Sequence, residues 1–141
     1  MADAAVLDGK AFSEKLVQKV AVEAKTITAA IGREPALAVV LVGENPASAV
    51  YVRNKIERTT AAGMRSIEHK LPVTTDQKTL LDLIAQMNAD DTVDGILVQL
   101  PLPDQIDEDA VINAIAPEKD VDGFHVVNAG LLATGQESLV P

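Results

Sequence analysis

Ala36-Leu37-Ala38-Val39-Val40-Leu41-Val42-Gly43-Glu44-Asn45-Pro46 is the stretch on which the fold turns. An unbroken Ala/Val/Leu run of this length, rich in β-branched valine, is short for a helix and right for a strand covered on both faces. Pro35 bounds it on one side and the Gly43 to Pro46 turn on the other. Asn45 and Pro46 suit the cap and first turn of a helix, which runs to about Ala62 and stops at Gly63. Strand and helix together make a first βα unit.

The same pattern extends outward in both directions. Residues 65–71 alternate well enough for a second strand, and residues 79–87 carry a helical stripe of Leu80, Leu83, Ile84 and Met87. A third strand is expected over residues 94–99, punctuated by Pro101 and Pro103, and then a short helix over residues 107–116. Upstream, Asp8 can cap a helix in which Phe12, Leu16, Val20 and Ala24 recur every four residues, so one buried face is expected before it ends near Gly32. Residues 117–141 mix charges and glycines with a weak helical patch over 126–133. The expected fold is α/β: one small three-layer domain with a mostly parallel sheet of three or four strands, right-handed crossovers and flanking helices.

Composition narrows the function. With 48% hydrophobic residues in 141, the chain can bury a core of its own. The apolar stretches are too short to cross a bilayer, and residues 1–8 have neither the basic start nor the long apolar run of a secretory signal. The absence of cysteine rules out disulfides and thiolate chemistry and fits a cytoplasmic protein. A net charge of -9, with two phenylalanines and one tyrosine, opposes binding to nucleic acid. His69 and His125 lack metal-ligand spacing and read as surface residues; no metal is expected.

In open parallel sheets, ligands bind beyond the carboxyl ends of the strands. The residues placed there are Ser48, Tyr51 and Lys55, which share a helix face, then Gln99 at the end of the third strand, and then Asp120 and Asp122 before Gly123. Taken singly, each has two readings. Lys55 is a surface lysine lying along its own stem, or a proton-transfer group. Gln99 satisfies a neighbouring loop, or holds a ligand. The two aspartates stabilise turns, or bind.

Three segments settle on one family when taken together. Val42-Gly43-Glu44-Asn45-Pro46-Ala47-Ser48 leads into Tyr51-Val52-Arg53-Asn54-Lys55; Asp94-Gly95-Ile96-Leu97-Val98-Gln99-Leu100-Pro101-Leu102-Pro103 follows; Pro117-Glu118-Lys119-Asp120-Val121-Asp122-Gly123-Phe124-His125 comes last. In order and spacing they resemble the signature stretches of the methylenetetrahydrofolate dehydrogenase and cyclohydrolase family. That resemblance implies a folate-binding catalytic domain spanning residues 1–141, with NADP or NAD bound mainly by a following Rossmann domain that this chain lacks. No glycine-rich phosphate loop occurs, so no cofactor-binding residues are assigned here.

The resemblance also implies roles. Lys55 is the proton-transfer and water-activating group of the cyclohydrolase step. Tyr51 stacks on the folate rings and hydrogen-bonds near Lys55, Gln99 orients the lysine amine, and Asp122 accepts from the pterin N–H groups. Ser48, Val98 and Leu100 complete the substrate-binding set. A parent homodimer is implied, with this piece monomeric and unable to transfer hydride alone. Two other readings of the residues are a Schiff-base lyase with Lys55 as nucleophile and a non-catalytic flavodoxin-like binding module.

Overall fold

A computed structural model describes residues 7–140. The reading of the first residues as free of a signal sequence lies largely outside that range. The elements are α1 (Gly9–Ile31), β1 (Ala36–Val42), α2 (Pro46–Ala61), β2 (Arg65–Leu71), α3 (Gln77–Ala89), β3 (Gly95–Val98), α4 (Glu108–Ala114), a 3-10 turn (Pro117–Lys119) and α5 (Val126–Ala133). The three strands are parallel in the order β2-β1-β3, with Val40 of β1 opposite both His69 and Val98.

The central place of β1 accounts for its unbroken apolar sequence, since both of its faces are covered. Ala38, Val40 and Val42 point into one core with Ile96 and Val98 of β3, Leu80, Ile84 and Met87 of α3, and Val111 of α4. Val39 and Leu41 point the other way, joining Leu97, Val52 and Ile56 beneath α2. Strand alternation thus divides one sequence between two helix layers, giving the expected three-layer α/β domain.

Two boundaries differ from expectation by hydrogen bonding alone. β3 is shorter than residues 94–99, yet Asp94 N–H still donates to Ala36 and Gln99 N–H to Val40, both at 2.9 Å, so pairing continues past each end. α4 stops at Ala114 because Asn88 takes over there: its amide donates to the Ala114 carbonyl at 2.8 Å and accepts from Ala116 N–H at 2.9 Å.

The stripe on α1 calls for a larger correction. Asp8 caps the helix by accepting from Ala11 N–H, and Gly32 ends it at φ +75°, as expected. Of Phe12, Leu16, Val20 and Ala24, however, only Ala24 is buried, and Phe12 and Leu16 are 71% and 50% exposed. The principal neighbour of α1 is α2, and one helix covers a narrower strip than a sheet does. At about 1.5 Å per residue, α1 is also longer than α2 by roughly 10 Å. Among the described residues, no helix is long and apolar enough to cross a membrane.

Arg33 and Asp94 close the amino-terminal edge of the sheet. The guanidinium donates to both Asp94 oxygens at 2.6 and 2.9 Å and to the Asp91 carbonyl at 2.6 Å, while Asp94 also accepts from Ala36 N–H at 2.8 Å. The Arg33 hydrogen bond holds the Asp94 carboxyl below the usual range. A depressed carboxyl stabilises the fold above its unfolded value, about 3.9, and that contribution is lost as pH falls through the folded value. Asp94→Asn is therefore expected to lower the melting temperature at neutral pH, with the gap to wild type closing in acid. A gap independent of pH would show that the ion pair is not its source.

Candidate active site

The carboxyl ends of β1 and β3 place the chemistry. After β1 the chain turns at Gly43, φ +84°, where an added Cβ would sit 3.5 Å from the Val73 side chain. Asn45 then receives Ser48 N–H on its side-chain oxygen at 3.2 Å, starting α2 beside the sheet edge. From α2, Lys55 reaches across to β3 and donates from Nζ to Gln99 Oε1 at 3.2 Å. Gln99 is held in turn, because its Nε2 donates to the Leu100 carbonyl at 2.8 Å. This orients the amide: its oxygen faces the lysine and its nitrogen faces the loop.

Asp122 is the third member. It lies half-buried after the 3-10 turn, and burial pushes its carboxyl above the ordinary range; the Lys55 charge opposes that rise and the Asp120 charge adds to it. Lys55, Gln99 and Asp122 therefore lie near one another though they come from three separate parts of the chain. The group combines an amine held by a neutral acceptor with a carboxyl that is poorly solvated.

The other expected site residues divide. Ser48 is buried on the first turn of α2. Tyr51 is 61% exposed on the same helix, which leaves its ring open for stacking, but no hydrogen bond joins it to Lys55. Val98 belongs to the core on the α3 and α4 side, and Leu100 packs against that core. Their side chains serve the fold.

One sequence reading is corrected. His125 is buried, not a surface residue: its Nδ1 accepts from Val127 N–H at 3.1 Å, capping α5, which is why the weak patch over residues 126–133 is helical. Lys119 is a structural cap, with Nζ donating to the carbonyls of Met87, Asn88 and Asp90 at 3.1, 2.9 and 2.9 Å. It thereby satisfies the carboxyl end of α3 and anchors the loop that leads to Asp122. Nothing local in the sequence marks that bond, which joins residues about thirty apart.

Gly95 is a further positioning residue. A Cβ there would lie 2.6 Å from Val121 Cγ1 and 3.4 Å from Leu37 Cδ1. Glycine thus lets Val121 seat against β3 and holds the neighbouring Asp122 near Lys55. Gly95→Ala is expected to cost about 1–3 kcal/mol of stability, as overpacking of a stiff β-branched neighbour does. An unchanged midpoint in urea would show that Val121 yields freely.

Residues 7–122 match the family described as tetrahydrofolate dehydrogenase/cyclohydrolase, catalytic domain, a span that contains Lys55, Gln99 and Asp122. The chain belongs to this family. Among relatives of the tetrahydrofolate dehydrogenase/cyclohydrolase catalytic domain, the bifunctional protein FolD of Erythrobacter litoralis is 58% identical over 98% of this chain and 46% of its own length. A methylenetetrahydrofolate dehydrogenase from the silkworm Bombyx mori superposes with a TM-score of 0.94 at 40% identity, over 99% of this chain and 48% of that one. The dehydrogenase-cyclohydrolase of Trypanosoma brucei, solved with NADP cofactor and an inhibitor, gives 0.91 at 32% identity, over 99% and 48%. The chain spans about half the length of the relatives it matches.

Proposed function

We propose that this chain is the folate-binding catalytic domain of an enzyme that oxidises 5,10-methylenetetrahydrofolate to 5,10-methenyltetrahydrofolate and hydrolyses that product to 10-formyltetrahydrofolate. The observation that carries the reading is the hydrogen bond from Lys55 to Gln99 beside the half-buried Asp122. Family membership supports it over a Schiff-base lyase or a non-catalytic module.

The residues act as follows in the hydrolytic step. Asp122 accepts from adjacent N–H groups of the pterin, the pairing a carboxylate suits best. Tyr51, exposed on α2, covers a ring face. The methenyl bridge is cationic at the carbon that water attacks, and Lys55 presents its amine to that water. Gln99 directs that amine. Water adds to the bridge carbon as the amine takes one of its protons; the bond from that carbon to N5 then breaks, N5 receives that proton from the ammonium, and the hydroxyl proton passes to solvent as the carbonyl forms, leaving the formyl group on N10.

The oxidative step needs a nicotinamide, which accepts hydride from the methylene carbon. The residues here do not fit a dinucleotide: the β1–α2 turn holds the single glycine Gly43, and Asn45 and Pro46 close the helix start. NADP belongs on this reading to the part of the relatives' length that lies beyond this chain. The test is a chimera in which residues 1–141 replace the matching segment of the Erythrobacter litoralis protein. It is expected to perform both reactions, and the 141-residue chain no hydride transfer. A folded chimera that binds tetrahydrofolate and turns over neither substrate would refute the assignment.

A further inference from the structure

Asp120 is nearly fully buried, and the hydrolytic step does not use it. Its Oδ2 accepts from His125 N–H at 2.9 Å and from the Asn128 amide at 3.0 Å, and its backbone pairs with Ile96 of β3. The Asn128 amide also donates to the Pro117 carbonyl at 2.8 Å, and Ser138 Oγ donates to the Asn128 carbonyl at 2.8 Å. The loop from residue 117 to residue 128 is thus closed on itself by one carboxylate and one amide, and Asp122 lies inside it. Among the described residues no cation pairs with Asp120; the nearest in sequence, Lys119, is committed to α3. A buried carboxylate served only by neutral donors is costly unless its place matters.

We infer that Asp120 is a positioning residue, a latch between β3 and α5 that holds Asp122 near Lys55. This rests on the folate-site reading for its purpose, though not for its geometry. Val121, seated between Gly95 and Leu37, pins the same loop from the sheet side, so Asp122 is placed by its two predecessors together. The charged groups acting on Asp122 are Lys55 from α2 and Asp120 from its own loop. Releasing the latch opens Asp122 to water and separates it from both.

The experiment follows the Asp122 carboxyl by carbon NMR through a pH titration of the 141-residue chain, in wild type, Asp120→Ala, Asp120→Asn and Asn128→Ala, with thermal melting to verify folding. The Asp122 midpoint is expected to fall toward the ordinary value of about 3.9 in Asp120→Ala and Asn128→Ala, and less in Asp120→Asn, which loses only the neighbouring charge. Tetrahydrofolate affinity, measured by calorimetry on the same samples, is expected to weaken about tenfold in the two alanine variants and to be largely recovered in Asp120→Asn, whose oxygen still accepts. A wild-type Asp122 midpoint in a folded Asn128→Ala chain, where the Asp120 charge is intact, would overturn the latch. An Asp122→Ala chain that binds tetrahydrofolate as wild type does would instead overturn the folate reading, leaving the titration result untouched.

Discussion

Lys55→Met in the chimera is expected to lower hydrolysis of 5,10-methenyltetrahydrofolate by about 10²- to 10⁴-fold, the range spanned by general acid–base groups. Methionine keeps the length and apolar stem of lysine, so α2 is left packed as it is and the loss reports the amine. Lys55→Arg is expected to fail nearly as badly. Its guanidinium can still donate to Gln99, but it stays protonated near neutrality and cannot take a proton from water. Gln99→Leu separates positioning from chemistry: it removes the acceptor that Lys55 meets at 3.2 Å while leaving the amine in place. A loss smaller than that of Lys55→Met, mainly in kcat, is the result that fits orientation by Gln99. The assay follows methenyl absorbance at steady state over a range of substrate concentrations. Hydrolysis by Lys55→Arg at the wild-type rate would exclude proton transfer by this residue and leave it a purely electrostatic part.

Which features were legible in the sequence follows from how far apart the partners lie. β1, β2 and α3 were readable because their signals are local: an apolar run, an alternation, a stripe at helical spacing. The βα order also implied a parallel sheet, but not that β1 would lie between β2 and β3. Lys55, Gln99 and Asp122 came together as a site only through resemblance to a family, since no periodicity links positions 55, 99 and 122. Residues whose task is to hold that site were the hardest to see. Asp120, Lys119 and Gly95 act through contacts with α5, α3 and Val121, and their types look ordinary in a loop or strand. His125 was misread because an exposed histidine and a buried helix cap have the same sequence context until α5 is placed. The stripe on α1 failed for the opposite reason: periodicity reports an apolar face, and only packing decides how much of it is covered.

Asp122→Asn is expected to stabilise the free chain while disabling the site. Burial holds the Asp122 carboxyl above its ordinary value, Lys55 opposing and Asp120 adding to the effect. A carboxyl raised in the folded state binds its proton more tightly there than in the unfolded chain, so its ionisation takes stability away as pH rises from the unfolded value through the folded one. At neutral pH that loss is complete. Asparagine has no charge to desolvate, so the variant should melt above wild type at pH 7, and the difference should vanish as pH falls below about 3.9. Binding should move the other way. A carboxylate accepts from two adjacent N–H groups, whereas asparagine offers one oxygen and turns a donor toward the second. Losing charge-assisted hydrogen bonds of this kind corresponds to about a 10²-fold weaker affinity for tetrahydrofolate. The two readouts test different claims. A variant that melts below wild type at pH 7 would contradict the burial argument, and one that melts higher yet binds tetrahydrofolate undiminished would remove Asp122 from the folate site. If both expectations hold, Asp122 is a residue whose cost to the empty domain is offset only when a ligand supplies the donors its carboxylate lacks.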